Sequence, residues 1–383
     1  MRRDGPAHQS SNDETLREVI PILTSAQMRV ADALAVTQRG VSALVDAAGT
    51  SVGLEAKQLL GTVYGRRVAV LVGPGLNGAD GRVAGQWLAA RGARVDVFEV
   101  ARQPGALRGF DLVIDAAFGL GCTRPYVAPR LGGATLVLAV DLPSGVEADS
   151  GKILGAPLVA DVTLALGALK AAHLSGPASS FVGELRFASL GIVSSFVDGL
   201  IEDSDLNELI TVHRDDNKWT HAVQVIAGST LMPGAAWMVA SGALAGGASM
   251  IRLASRGEAP NLMALPPEVV RVTESAVDRR SRAVVAGPGL GADASAWLRE
   301  RLLQVQVPVV LDADGLHRDL LPGPRAPQHR WILTPHEGEF TRLTGQALGE
   351  DRIGDVRTLA RETGCVVLLK GSTTILADPT GTL

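Results

Sequence analysis

The sequence predicts two consecutive doubly wound α/β domains. Three observations carry this: a length of 383 residues, too long for one ordinary domain, two successive series of short β-branched runs, and helical segments between them. Hydrophobic residues make up 46%, enough to build a core in each half, and 44 glycines suit the tight strand–helix turns of such sheets.

The elements follow in order. Residues 1–15 are polar, with no apolar run after the basic start, so they predict a disordered lead-in and no signal peptide. Residues 24–60 predict helices: Thr24 and Gln27 form a capping-box pattern, and Met28, Ala31, Leu34 and Ala35 recur at helical spacing. The period then changes. RVAVLVG (67–73), ARVDVFEV (93–100), DLVIDAAFG (111–119), TLVLAVDLPSG (135–145) and DVTLALG (161–167) are mostly continuous apolar runs, as strands buried on both faces of a parallel sheet require. GRVAGQWLAARG supplies a helix between the first two. Near Thr211 an acidic, irregular stretch marks a boundary, giving domains 16–211 and 212–383. The second series opens at AVQVIAGS (222–229) and passes through a small-residue helix at 234–247. It runs on through SMIRLAS, EVVRV, RAVVAGPGLG, VPVVLDADG, RWILTPHEGEF and CVVLLKGS.

Bulk properties exclude several classes. A net charge of −4 gives no reason to expect nucleic acid or an anionic membrane as partner. Cys122 and Cys365 stand too far apart in sequence to suggest a disulfide framework or a zinc site. No apolar window approaches the roughly 18 residues of a membrane span. A reducing cytoplasm is the expected location, and a homo-oligomer is left open.

In an open parallel sheet, ligands bind where loops leave the carboxyl ends of strands. Three such loops in the first domain carry polar residues that buried strands do not need. GPGLNGADG (73–81) offers glycines for close backbone approach, a helix N-terminus for anions, and Asn77 and Asp80; a turn serving geometry alone is the alternative. IDAAFGLGCTRP (114–125) places Asp115 at a strand end, where it either caps the turn or serves a site. VDLPSG (140–145) puts Asp141 and Ser144 on one turn. Together these loops could hold a hard cation on oxygen, or leave one carboxylate free to move a proton.

The order GPGxNGxDG, DAxFGxG, DxPSG and TLALGALKAAH resembles the NAD(P)HX epimerase domain, over roughly residues 24–190. The resemblance implies a Rossmann-like fold. It implies that Leu76, Asn77, Gly78, Ala79 and Asp80, with Gly119, Leu120, Gly121, Cys122, Thr123, Arg124 and Pro125, bind hydrated NADH or NADPH (NADHX, NADPHX). It also implies that Asn77, Asp115 and Ser144 ligate a potassium ion, and that Asp141 is the catalytic base. Lys170 occupies the position of a lysine common in the family and is a further site candidate, against the alternative that a strand-end lysine is simply solvated. Two positions depart from the family loop: Leu76 replaces an amide, and Ala79 adds a Cβ that is costly if φ is positive there.

The second domain repeats the pattern of polar strand ends. GPGLG (287–291), LDADG (311–315) with Asp312 and Asp314, LTPHEGEF (333–340) and LLKGSTT (368–374) follow one another, and Lys370 is a point charge suited to phosphate. This series resembles the ADP- or ATP-dependent NAD(P)HX dehydratase, a ribokinase-like family. The resemblance implies that Gly289 and His336 touch the hydrated substrate. It implies that Lys370, Gly371, Ser372, Thr373 and Thr374 bind ADP or ATP, with Mg2+ a candidate companion. The family continues to a Gly-Thr-Gly-Asp loop, whereas this sequence ends at ADPTGTL, so an incomplete second domain without dehydratase turnover is expected. Asp378 to Gly381 predict a turn, and apolar surface is expected to be exposed along TTILA. Three functional readings stay open: a repair enzyme that epimerises and dehydrates NAD(P)HX, a catalytically impaired nucleotide-binding relative, and a ribokinase-type small-molecule kinase.

Overall fold

The computed structural model describes residues 19–381 apart from 194, 197, 207–216, 258–264, 274–275, 303 and 322–329. The expected lead-in at 1–15 and the boundary near Thr211 therefore lie outside the described residues.

Helix α1 (Ser25–Arg39) begins as its sequence requires: Gln27 N donates to Thr24 Oγ1 at 3.3 Å, and Thr24 N donates to Gln27 Oε1 at 2.8 Å. Its buried stripe is Met28, Ala31 and Ala35, but Leu34 is exposed. Only a narrow face of this surface helix meets the protein, and Leu34 falls outside it. Helix α2 (Val41–Leu60) follows after Gly40 and packs along α3 (Leu76–Ala89).

Six strands form the first sheet: β1 (Arg67–Val72), β2 (Arg94–Glu99), β3 (Leu112–Ala116), β4 (Leu136–Val140), β5 (Val162–Leu166) and β6 (Glu184–Ala188). Their order is β6-β5-β4-β3-β1-β2, and all pairings are parallel. Strands β3 and β5 are buried at every position, which explains why their sequences run apolar without alternation. The chain leaves β1 toward β2, then crosses to β3 on its other side. That reversal opens a crevice at the carboxyl ends of β1 and β3, where the polar loops lie.

The second unit has an eight-stranded sheet. Its strands are β7 (Ala222–Ser229), β8 (Met250–Arg256), β9 (Val269–Arg271), β10 (Ala283–Ala286), β11 (Val309–Leu311), β12 (Trp331–Leu333), β13 (Val366–Leu369) and β14 (Ile375–Ala377). The order is β9-β8-β7-β10-β11-β12-β13-β14, parallel except for the final antiparallel pair. Helices α4 (Pro233–Ala245), α5 (Ser295–Leu302), α6 (Glu337–Thr344) and α7 (Arg352–Thr363) accompany it. The exposed apolar surface expected along TTILA is not found: Ile375 and Ala377 are buried, because β14 folds back on β13 and packs against α7. The expected turn is present, with Asp378 Oδ1 accepting from Thr380 N and Gly381 N at 2.8 and 3.0 Å. The two units touch: Arg357 pairs with Asp198, and the Thr373 hydroxyl donates to the Leu174 carbonyl. Among the described residues no helix is long and apolar enough to cross a membrane.

Candidate active site

A cavity of about 470 Å3 opens at the carboxyl ends of β1, β3, β4 and β5. One wall is apolar, from Met28, Val36, Val41 and Leu44 on α1 and α2. Asp32 interrupts that wall from α1, and Asn77, Asp80, Arg124, Asp141 and Lys170 also line the cavity. An apolar cleft with a few convergent polar groups is the usual form of a small-molecule site.

Asp141 is the most constrained of these groups. It follows β4 with φ +64°, the left-handed region, and is not glycine. Holding a side chain there costs on the order of 1–3 kcal/mol, so the surroundings must impose it. Asp141 N donates to the Leu164 carbonyl at 2.9 Å. Its Oδ1 accepts from Lys170 Nζ at 2.5 Å and from Leu166 N at 3.3 Å. Lys170 is only 1% exposed and also donates to the Leu166 and Ala168 carbonyls at 3.2 and 2.9 Å. Of the two readings of Lys170, the solvated one fails: residues 167–170 turn back beneath the end of β4 and bring the buried ammonium to the carboxylate. Asp141 Oδ2 accepts no hydrogen bond among the described residues and faces Gly119, where an added Cβ would lie 3.4 Å away.

Beside it, Asp115 at the end of β3 is fully buried. Its Oδ1 accepts from the Ser144 hydroxyl at 2.6 Å, and its Oδ2 from Ser144 N at 2.9 Å. Phe118 N donates to Ser144 Oγ at 2.8 Å, which stitches the loop after β3 to the loop after β4. Burial raises the Asp115 carboxyl above its ordinary range, and the Ser144 hydrogen bonds only partly oppose this. Asn77 Nδ2 is buried without a hydrogen-bond partner. Burial and the nearby Asp141 and Asp32 carboxylates push Asp80 up to about 8, so this acid is neutral at pH 7. Asp32 is raised too, by burial first, with Lys170 opposing.

The expected substrate loops divide. Leu76, Asn77, Asp80, Gly119, Leu120, Gly121 and Arg124 line the cavity; Gly78, Ala79, Cys122, Thr123 and Pro125 do not. The stretch 73–81 is a loop only to Gly75, and α3 starts at Leu76. Gly78 is there for packing, since a Cβ would lie 2.0 Å from the Gly73 carbonyl oxygen. Ala79 is within the helix, so its Cβ is not strained by a positive φ. Cys122 is buried, with its Sγ toward the Arg124 carbonyl. Sequence reasoning passed over Asp32 and His173. Asp32 stands four residues after Met28 on α1, a carboxylate interrupting the inward face, and that spacing was the available signal.

In the second unit, Lys370 Nζ pairs with Asp312 Oδ1 at 2.7 Å and approaches Glu339 Oε2 at 3.6 Å. His336 caps α6: its Nδ1 accepts from Gly338 N and Glu339 N at 3.0 and 3.3 Å, and the ring is 59% exposed. Gly289 has φ +70°, and a Cβ there would meet Ala235 at 2.5 Å, so only glycine fits. Gly371, Ser372 and Thr374 are exposed, and the Thr373 hydroxyl is engaged by Leu174 of the first unit. Asp314 Oδ2 accepts from Gly291 N at 2.9 Å, which ties the loops after β10 and β11 together.

Two α/β sheets, each with polar groups gathered at its strand ends, give two linked units with a candidate site in each. Residues 223–383 match the NAD(P)H-hydrate dehydratase family, and residues 41–109 and 99–172 match the YjeF-related protein N-terminus. The bifunctional NAD(P)H-hydrate repair enzyme Nnr of Mycobacterium tuberculosis is 37% identical over 372 residues, covering 87% of this chain and 76% of that one. The enzyme of the same name from Synechocystis sp. is 31% identical over 423 residues, covering 94% and 80%. A Bacillus subtilis ADP/ATP-dependent NAD(P)H-hydrate dehydratase, crystallised with ATP and Mg2+, is 28% identical with a TM-score of 0.37, covering 45% of this chain and 65% of that one. The chain belongs to the bifunctional NAD(P)H-hydrate repair enzymes.

Proposed function

We propose that the first-unit cavity interconverts the R and S forms of hydrated NADH and NADPH, with Asp141 moving the proton. One observation carries this reading: Lys170 and Leu166 occupy Oδ1 of Asp141, which leaves Oδ2 as the atom facing the cavity. In the route these groups suit, the hydroxyl oxygen leaves one face of its carbon and water adds to the other. A proton must reach the departing oxygen and be taken from the arriving water. Asp141 accepts at Oδ2 while the Lys170 ammonium balances its charge. Asp80, neutral until about pH 8, supplies a proton. Arg124 at the cavity rim suits a nucleotide phosphate.

The residues around Asn77 fit a potassium ion. Asp115 is a buried carboxylate answered only by neutral donors, and the buried Asn77 amide, whose nitrogen has no partner, is free to present its oxygen to a cation instead. Asn77, Asp115 and Ser144 would hold the ion, which when bound supplies one positive charge against Asp115 and braces the three loops. In the second unit, Lys370 to Thr374 take the phosphates of ADP or ATP, and Gly289 and His336 face hydrated substrate. Two buried, unpaired cysteines suit a cytoplasmic setting. The test incubates the chain with R-NADHX and follows S-NADHX by chromatography, in potassium and in choline buffers. Conversion that is faster in potassium is expected; no conversion in either buffer would overturn the reading.

A further inference from the structure

The strained backbone of Asp141 has a second holder, at the end of the TLALGALKAAH motif. His173 is 4% exposed and lies three residues after Lys170, at the end of the same short turn. Its Nδ1 accepts from Lys170 N at 3.0 Å, so that nitrogen carries no proton. The ring proton is then on Nε2, which lies 2.5 Å from the Asp141 carbonyl oxygen and donates to it. One segment thus grips Asp141 twice. Lys170 takes the carboxylate, and His173 takes the peptide carbonyl of the residue at φ +64°.

The two grips have different consequences. The ammonium balances the charge of Asp141 and, with Leu166 N, fixes Oδ1, while the Asp141 N–H is held by the Leu164 carbonyl; none of these bonds reaches the carbonyl side of the residue. Fixing the carbonyl fixes the peptide plane, and with it the direction in which Oδ2 points. We infer that His173 is a positioning residue for epimerisation, a neutral Nε2–H imidazole that holds Asp141 in its left-handed conformation with Oδ2 toward substrate. The protonation state agrees with this role: burial, then the neighbouring Lys170 ammonium, lowers His173 to about 4, against the opposing pull of Asp141. A second proton would also have to enter at Nδ1, where the Lys170 N–H already points.

This inference rests on Asp141 being the base, so the experiment separates the two claims. R-to-S conversion of NADHX is measured with the full chain and with three variants: Asp141→Asn, His173→Leu and His173→Gln. His173→Leu removes the donor and should lower kcat by about 10- to 100-fold, as small misplacements of a reacting group do, with KM changed less than about twofold. His173→Gln keeps an N–H donor and should recover most of that loss. Equal kcat for the leucine and glutamine variants, or parental kcat for a folded leucine variant, overturns the inference. Activity retained by Asp141→Asn would instead remove the base itself. Should the leucine variant not fold, 15N-histidine spectra of the parent chain decide. The signal lost in His173→Gln must report a proton on Nε2 and a neutral ring down to about pH 4, and protonation near pH 6.5 would contradict the inference.

Discussion

The polar groups of the two units are held in opposite ways. In the first, Asp141, Lys170, His173, Asp115 and Ser144 are all buried, and each bond anchoring one loop is made by another loop of the site. In the second, Lys370, Asp312 and His336 are partly or largely exposed; Lys370 pairs with Asp312, and both Lys370 and His336 approach the one buried carboxylate, Glu339. The first site is therefore organised before any ligand arrives, at the cost of a strained residue and a desolvated ion pair. The second gives its charges little desolvation, so its geometry can yield to an incoming nucleotide. Preorganisation of this kind favours chemistry that needs one atom, here Asp141 Oδ2, in one direction.

Removing one partner from each ion pair should break this symmetry most visibly. Asp141→Asn leaves a buried ammonium unanswered, so it should lower stability by roughly 3 kcal/mol or more, where its chemistry alone would leave folding untouched. Adding Lys170→Met should restore much of that loss. Lys370→Met removes a charge that is 39% exposed and should cost less than about 1 kcal/mol. Urea unfolding of the four chains measures all of this, and equal losses at the two lysine sites would erase the distinction.

Glycine substitutions sharpen the same contrast at a smaller scale. Gly78→Ala forces a Cβ to 2.0 Å from the Gly73 carbonyl oxygen and should destabilise by about 1–3 kcal/mol. At Gly371 the nearest atom would lie 3.1 Å away, and Gly371→Ala should be mild. Thermal melts of the two variants compare the rigid edge with the yielding one.

A pH series probes the first cavity alone. Asp80 is raised, so the folded state keeps a proton that the unfolded chain releases near pH 4. Stability from this group is greatest at acid pH and declines as pH rises from about 4 to about 8. Asp80→Asn should flatten that decline, as read from unfolding midpoints between pH 5 and pH 8.5. An unchanged slope would place the titration elsewhere. The smallest effect belongs to Leu76→Asn with Ala79→Gly. Since Ala79 is helical, the glycine should cost about 1 kcal/mol and relieve no strain. Only the asparagine, at the cavity mouth, can then raise epimerisation, and by a few-fold at most.

The strand-end loops of both units were legible because buried parallel strands run apolar, so that Asp115, Asp141 and Lys370 stand out where the runs stop. The capping box at Thr24 was equally plain, being a local pattern of three residues. What stayed hidden is what depends on the chain turning back on itself. Lys170 can pass for a solvated lysine in a linear reading and His173 carries no local signal, and only the parallel register of β4 with β5 brings residues 167–173 beneath Asp141. The helical start at Leu76 was masked by four glycines that suggest a loop, although two of them serve helix–sheet packing: Cβ atoms at Gly78 and Gly81 would strike Gly73 and Ala116.

The central claim is that Asp141, held by its buried lysine, is the working carboxylate of an epimerase, and one variant tests it without the confusion of an unpaired charge. The Asp141→Asn, Lys170→Met chain replaces the ion pair with neutral groups of similar size and should fold. Supplied with R-NADHX, it should show conversion to S-NADHX at the uncatalysed rate, while the parent chain converts it at least about 100-fold faster. A folded double variant that epimerises at the parental rate would contradict the account.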